Sequence, residues 1–229
     1  MLDLLTLIML QMGGRIIPAA TAGVLQRRGM ALQNRVQPRV ETALGTGMVA
    51  MILADQLPSV SALVGVAAGV TATLAGFRLL RWRGWIIWRQ PDLFALHIGY
   101  LWLVVGLGLR AAADLLPEVP MMAGVHAISI GALGTLTTTM MLRTGAARGA
   151  EHIPSARIGV VAALVTIAAL LRIFSASTGL PVGILVAAVC WSLALLVALS
   201  AILPSGSCCS HSGVKRPAAN PRGHEAHHR

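Results

Sequence analysis

Seven apolar stretches, at 4–25, 43–57, 60–80, 93–109, 121–141, 158–174 and 182–203, alternate with short polar or basic segments along the chain. Stretches of about 17 to 25 residues match a hydrocarbon core ~30 Å thick. The pattern predicts an all-α fold, a polytopic transmembrane helical bundle of about seven spans over residues 1–203. The second stretch is short, and a re-entrant segment there would make the count six. Residues 204–229 are rich in Ser, Pro, Gly and His and read as a disordered tail.

Basic residues fix a direction. Threading the spans alternately collects Arg27, Arg28, Arg35 and Arg39, then Arg78, Arg81, Arg83 and Arg89, then Arg143, Arg148 and Arg157, then the tail residues Lys215, Arg216, Arg222 and Arg229 on one face. The other face receives Arg110 and Arg172. Basic loops stay in the cytoplasm, so the expectation is a multi-pass inner-membrane protein with its C-terminus and tail cytoplasmic. Trp82, Trp85 and Trp88, beside Arg81, Arg83 and Arg89, read as an interfacial aromatic belt on that side.

Composition agrees with this reading. The chain is 56% hydrophobic and 11% charged, with a mean hydropathy of +0.76, a poor match to a soluble domain. Its net charge of +10 lies in the loops and lacks the interleaved aromatics of a base-stacking surface, so no nucleic-acid partner is expected. Asp3 stands where a signal peptide has basic residues, and no small-residue cleavage site follows. Alternation starts the chain on the periplasmic side, as suits either a whole protein or one lacking earlier helices. Cys190 reads as a packing residue inside the last span. Cys208 and Cys209, with His211, His224, His227 and His228 of the tail, have soft-metal chemistry but no compact ligand spacing.

Ionisable residues inside spans mark candidate sites. Arg15, His97 and His126 qualify, whereas Arg172 is close enough to a span end to snorkel. Arg15 lies about ten residues, or ~15 Å, from the basic end of the first span. It sits in Gly13-Gly14-Arg15-Ile16-Ile17-Pro18, where Pro18 frees the Gly14 carbonyl and the glycines admit a close neighbour. Asp3, Asp55, Asp92 and Asp114 all fall near span ends, so Arg15 is expected to be buried and to take an anion from a cofactor or from outside the chain, unless it caps carbonyls at the kink. His97 shares a helix face with Tyr100, and His126 shares one with Met122 and Ser129. Each histidine is either a neutral core imidazole or a cofactor ligand. His126 and Met122 together suit copper. The two histidines start antiparallel helices and should lie ~15 to 20 Å apart in depth, too far for one metal ion. Gly131, Gly134, Thr135, Thr137, Thr138 and Thr139 promise close helix packing in the fifth span.

Several runs, taken in order, carry a family resemblance. They are Gly13-Gly14-Arg15-Ile16-Ile17-Pro18-Ala19, Gln26-Arg27-Arg28-Gly29, Arg81-Trp82-Arg83-Gly84-Trp85, Leu96-His97-Ile98-Gly99-Tyr100, the stretch 126–134 from His126 to Gly134, and Met140-Met141-Leu142-Arg143. Together they resemble the NnrS family of bacterial inner-membrane proteins, which are associated with nitric oxide and denitrification. The resemblance covers residues 4–203 and the last seven or so spans of a twelve-span pattern. It implies haem and copper as cofactors, with His97, His126 and Arg15 as cofactor-binding residues and His126 with Met122 as metal ligands. Arg15 would then suit a haem propionate. Which histidine takes which metal stays open.

The function this implies is a haem- and copper-binding membrane protein acting in the response to nitric oxide and nitrosative stress, or in denitrification. The alternatives are a transporter or metal-handling permease, since broken helices and midplane polar residues also mark substrate pathways, or an inactive truncated fragment.

Overall fold

The computed structural model describes residues 2–30, 37–57, 61–148 (side chains to 145) and 154–202. The Cys/His tail expectations lie outside the described residues. Seven helices account for the bundle, and the described residues form no strand. They are α1 (Leu2–Arg27), α2 (Pro38–Ala54), α3 (Ser61–Arg81), α4 (Pro91–Leu115), α5 (121–148), α6 (Ser155–Thr178) and α7 (Pro181–Ile202). All except α2 are long and apolar enough to cross a membrane. Helix α2, of 17 residues, is the short second stretch. Its start differs from the hydropathy boundary. Pro38 opens the helix at its first position, where a missing N–H costs nothing, and this brings the polar turn containing Glu41 inside it.

Helix α4 is the hub, packed against α1, α3, α5 and α6. Its neighbours approach closely because glycines face it. On α3, a Cβ added at Gly76 would touch Val104 at 3.4 Å, and one at Gly65 would crowd Leu115 at 2.9 Å. On the other side, Gly99 and Gly106 of α4 receive Leu136 and Ile128 of α5. Small residues do in α3–α4 and α4–α5 what they do in many membrane helix pairs. Both pairs are antiparallel. The α4–α5 register sets residue 106 against 128 and residue 99 against 136.

Helix α5 is not α-helical throughout. After one α-helical segment, Met121–His126, it widens into a π-helix over Ala127–Gly134 and returns to α over Thr135–Arg148. The widened turns bring glycines under two indoles: a Cβ at Gly131 would stand 2.5 Å from Trp102, and one at Gly134 2.5 Å from Trp191. Threonine hydroxyls fold back on the helix, Thr138 donating to the Gly134 carbonyl at 2.6 Å. The small residues of this span pack closely, as expected. Helix α7 is apolar on every side and buries only Ala187, Ala194 and Ala198, against α6 and α5, as suits a lipid-facing helix.

Ion pairs staple both ends. At the end away from the basic loops, Arg110 of α4 donates to Asp114 at 2.9 Å and to Asp55, beyond α2, at 2.5 Å, with Asp3 of α1 at 3.8 Å. One guanidinium thus gathers α1, α2 and α4. At the basic end Arg143 of α5 pairs with Asp92 of α4. These aspartates lie near helix ends, where the sequence placed them.

Candidate functional site

Among the described residues the buried arginine is Arg78. It lies in the last turn of α3 and is 5% exposed. The inward stripe of α3 runs through Gly65, Ala68, Ala72 and Ala75, and the next step of three lands on Arg78. Its guanidinium crosses to α1 and lies on Gly14, where an added Cβ would stand 1.3 Å from Nη2. It pairs with Glu41 of α2. Nη1 donates to the Leu10 carbonyl of α1 and to the Tyr100 hydroxyl of α4, each at 3.3 Å. Trp82 and Tyr100 present their ring faces, with centroids 5.4 and 5.9 Å from Cζ. One cation therefore joins four helices through an ion pair, two hydrogen bonds and two aromatic faces. A buried charge is tolerable only with such a set.

Below this knot lies His97. Tyr100 packs edge-on to Trp82 at 4.8 Å, and Trp82 packs edge-on to His97 at 6.2 Å. His97 is 5% exposed. Its Nδ1 lies 3.0 Å from the Leu93 carbonyl one turn back. That carbonyl can only accept, so Nδ1 carries the proton and Nε2 keeps its lone pair. Nε2 is buried and has no hydrogen-bond partner among the described residues. Above the ring sits Gly84, whose added Cβ would lie 2.6 Å from Cδ2. The chain arrives there through Arg83, held in the left-handed region at φ 51°, and a 3-10 turn over Gly84–Ile87. A non-glycine residue at positive φ costs free energy of order 1 kcal/mol or more. Here that turn seats a glycine on the imidazole face.

The other sequence candidates are placed elsewhere. Arg15 is exposed, not buried. Adjacent helix positions differ by about 100°, so an inward Gly14 turns Arg15 outward. Glu41 also lines an open groove of about 620 Å³ between α1 and α2, with Gln11 and Thr46. Trp82 is 2% exposed and belongs to the core, whereas Trp85 and Trp88 are exposed and fit the belt reading. His126 is half-buried at the last α-helical residue before the π segment, within the field of Arg172. Met122, one turn earlier, is exposed, and the Ser129 hydroxyl donates to the Val125 carbonyl at 2.7 Å. The α4–α5 register sets His126 opposite residues 108–109, about 12 residues or ~18 Å along the bundle from His97. The two histidines do not share a site.

Sequence reasoning missed Glu41, Arg78 and Trp82 as a unit. Arg78 carried a signal, its position on the small-residue stripe of α3. Glu41 carried none, because its neighbours are polar.

Among the described residues no three His, Cys, Asp or Glu side chains converge on one point. A metal held by His97 or by His126 would thus need further ligands beyond a three-residue cluster of the described chain, such as methionine or the cofactor's own atoms. The donor chemistry at His97 fits a metal–nitrogen bond: the tautomer is fixed by a backbone acceptor and the distal nitrogen is free, the usual arrangement of a ligating histidine. No curated protein and no solved structure matches the chain. The family model for NnrS protein matches residues 1–205, and the chain belongs to the NnrS family.

Proposed function

We propose that this chain is a haem- and copper-binding membrane protein of the bacterial inner membrane, engaged with nitric oxide in nitrosative stress or denitrification. Family membership supports the class. The observation that carries the site is the buried Nε2 of His97, unpartnered among the described residues. Burying an imidazole nitrogen without a partner costs free energy, and a cofactor ligand role accounts for that cost. Haem or copper, when bound, supplies redox and diatomic-ligand chemistry that amino acids lack.

The chain's own residues hold and orient. Leu93 fixes the His97 tautomer, Gly84 and Trp82 fix the ring plane, and the Arg78–Glu41 pair anchors Trp82 and Tyr100 around it. In this reading Arg15, exposed on α1, meets a propionate. His126 and Met122 take copper at the far end of the bundle, where the π segment re-aims His126; π turns often occur at functional sites.

An absorption spectrum and metal analysis of the purified protein test the proposal. His97→Ala should remove or shift the Soret band, while His126→Ala should lose copper and keep that band. The same loss of haem in both variants would overturn two separate sites. A colourless, metal-free protein would favour a permease instead, the reading supported by the open Glu41 groove between α1 and α2.

The orientation is part of the proposal. A reporter fused after Ile202 should be active only in its cytoplasmic form, because the basic loops flank the same end of the bundle. Periplasmic activity of that fusion would invert the topology.

A further inference from the structure

Two cavities follow one another along α1, with α4 as their floor and α5 opposite, the outer one also bordered by Ser155 and Ile158 of α6. The outer one, of about 610 Å³ at the basic end, is bordered by Arg27, Arg89 and Arg143 with Asp92. The inner one, of about 190 Å³, is walled almost wholly by apolar side chains, among them Met12, Ile16, Leu136 and Met140. One face of each helix runs through both. On α1 the steps are Met9, Met12, Ile16, Ala20, Gly23 and Arg27, at intervals of three and four. On α5 they are Leu133, Leu136, Met140 and Arg143. Such intervals keep residues on one side of a helix, so the two cavities follow one another along a single groove line, a cationic mouth leading to an apolar floor. From Met9 to Arg27 it runs ~27 Å, more than half of a bilayer ~40–45 Å across with its headgroups.

We infer that this groove holds one anionic phospholipid from the leaflet on the basic side. Charge selects the headgroup. Among the described residues of the lining, Arg143 is paired with Asp92, which leaves Arg27 and Arg89 as a double positive charge at the mouth. Arg89 rests against the Trp88 ring, 5.6 Å from its centroid, which holds its charge near the interface. The apolar floor takes an acyl chain, and Gly23, with nothing within 4 Å of an added Cβ, keeps the α1 wall low. The inference rests on the groove alone and stands independently of any haem or copper site.

Native mass spectrometry of the full chain tests it, after reconstitution in vesicles of equal phosphatidylglycerol and phosphatidylethanolamine. One phosphatidylglycerol should be retained in preference to phosphatidylethanolamine. Each of Arg27→Gln and Arg89→Gln should lower its retention about fivefold, the scale of one basic residue near an anionic surface. Arg81→Gln, an exposed arginine at the same end that stacks on Phe77 outside the groove, should leave retention unchanged. Thr137→Trp, which fills the inner cavity from its exposed rim without touching a charge, should lower retention as well. Equal retention of the two lipids would overturn the inference, as would an Arg81→Gln loss matching that of Arg27→Gln. Full retention in Thr137→Trp, or a porphyrin or polypeptide mass in place of the lipid, would overturn it too.

Discussion

Arg78→Ala should be the most destabilising single substitution at the basic end of the bundle, costing about 3 kcal/mol, the low end of the range for removing one partner of a buried ion pair, because Glu41 borders an open groove. The truncation strips Glu41 of its counter-ion and the Tyr100 hydroxyl of its donor, and it leaves a void on Gly14. Arg81, three residues on and exposed, is the natural comparison. Arg81→Ala should change stability by no more than ~0.5 kcal/mol, as for most surface positions. Thermal unfolding of the detergent-solubilised protein, followed by tryptophan fluorescence, reads the difference directly, since Trp82 packs on Arg78. A double variant, Arg78→Met with Glu41→Leu, should recover much of the loss, because two apolar side chains can replace a buried pair at little cost. Equal melting of Arg78→Ala and Arg81→Ala would mean that the ion pair does not hold the four helices together.

The positions of the helices were legible because lipid-facing and core-facing residues of a membrane bundle are both apolar, so hydropathy marks whole spans. The same property hid which face points inward. Arg78 and Arg81 look alike to a rule that weighs charge near span ends, yet one is buried and the other exposed. What separates them is the small-residue stripe of α3, which continues to Arg78, and the meeting with Gly14, 64 positions away on another helix, which no local pattern encodes. Arg15 shows the converse: counting along α1 gives its depth but not its azimuth, and burial depends on the azimuth. Glu41 was lost for a simpler reason, since a proline-opened first turn is polar and hydropathy starts the helix after it. His97 was legible as a candidate. The fixed tautomer comes from the Leu93 carbonyl one turn back, and the glycine over its ring comes from the turn at Arg83, whose left-handed backbone nothing in its composition announces.

Gly14 and Gly23 offer a test in which one substitution has opposite signs on a single helix. Alanine is favoured over glycine inside a helix by roughly 1 kcal/mol. At Gly23 nothing lies within 4 Å of an added Cβ, so Gly23→Ala should stabilise by up to about that amount. At Gly14 the new methyl would fall 1.3 Å from Arg78 Nη2 and 2.1 Å from Cζ. No rotation of a methyl avoids such an overlap; the guanidinium must leave, or α1 must move away from α3. Either way the Leu10 and Tyr100 hydrogen bonds are strained or lost, and Gly14→Ala should destabilise by about 1–3 kcal/mol, the usual cost of overpacking. The penalty belongs to the pair, so it should vanish when Arg78 is already truncated. In an Arg78→Ala background Gly14→Ala should be neutral or stabilising, a non-additivity expected only of residues in direct contact. Stabilisation by Gly14→Ala in the otherwise unaltered chain would place the Arg78 side chain away from α1, and the four-helix knot beside His97 would come undone with it.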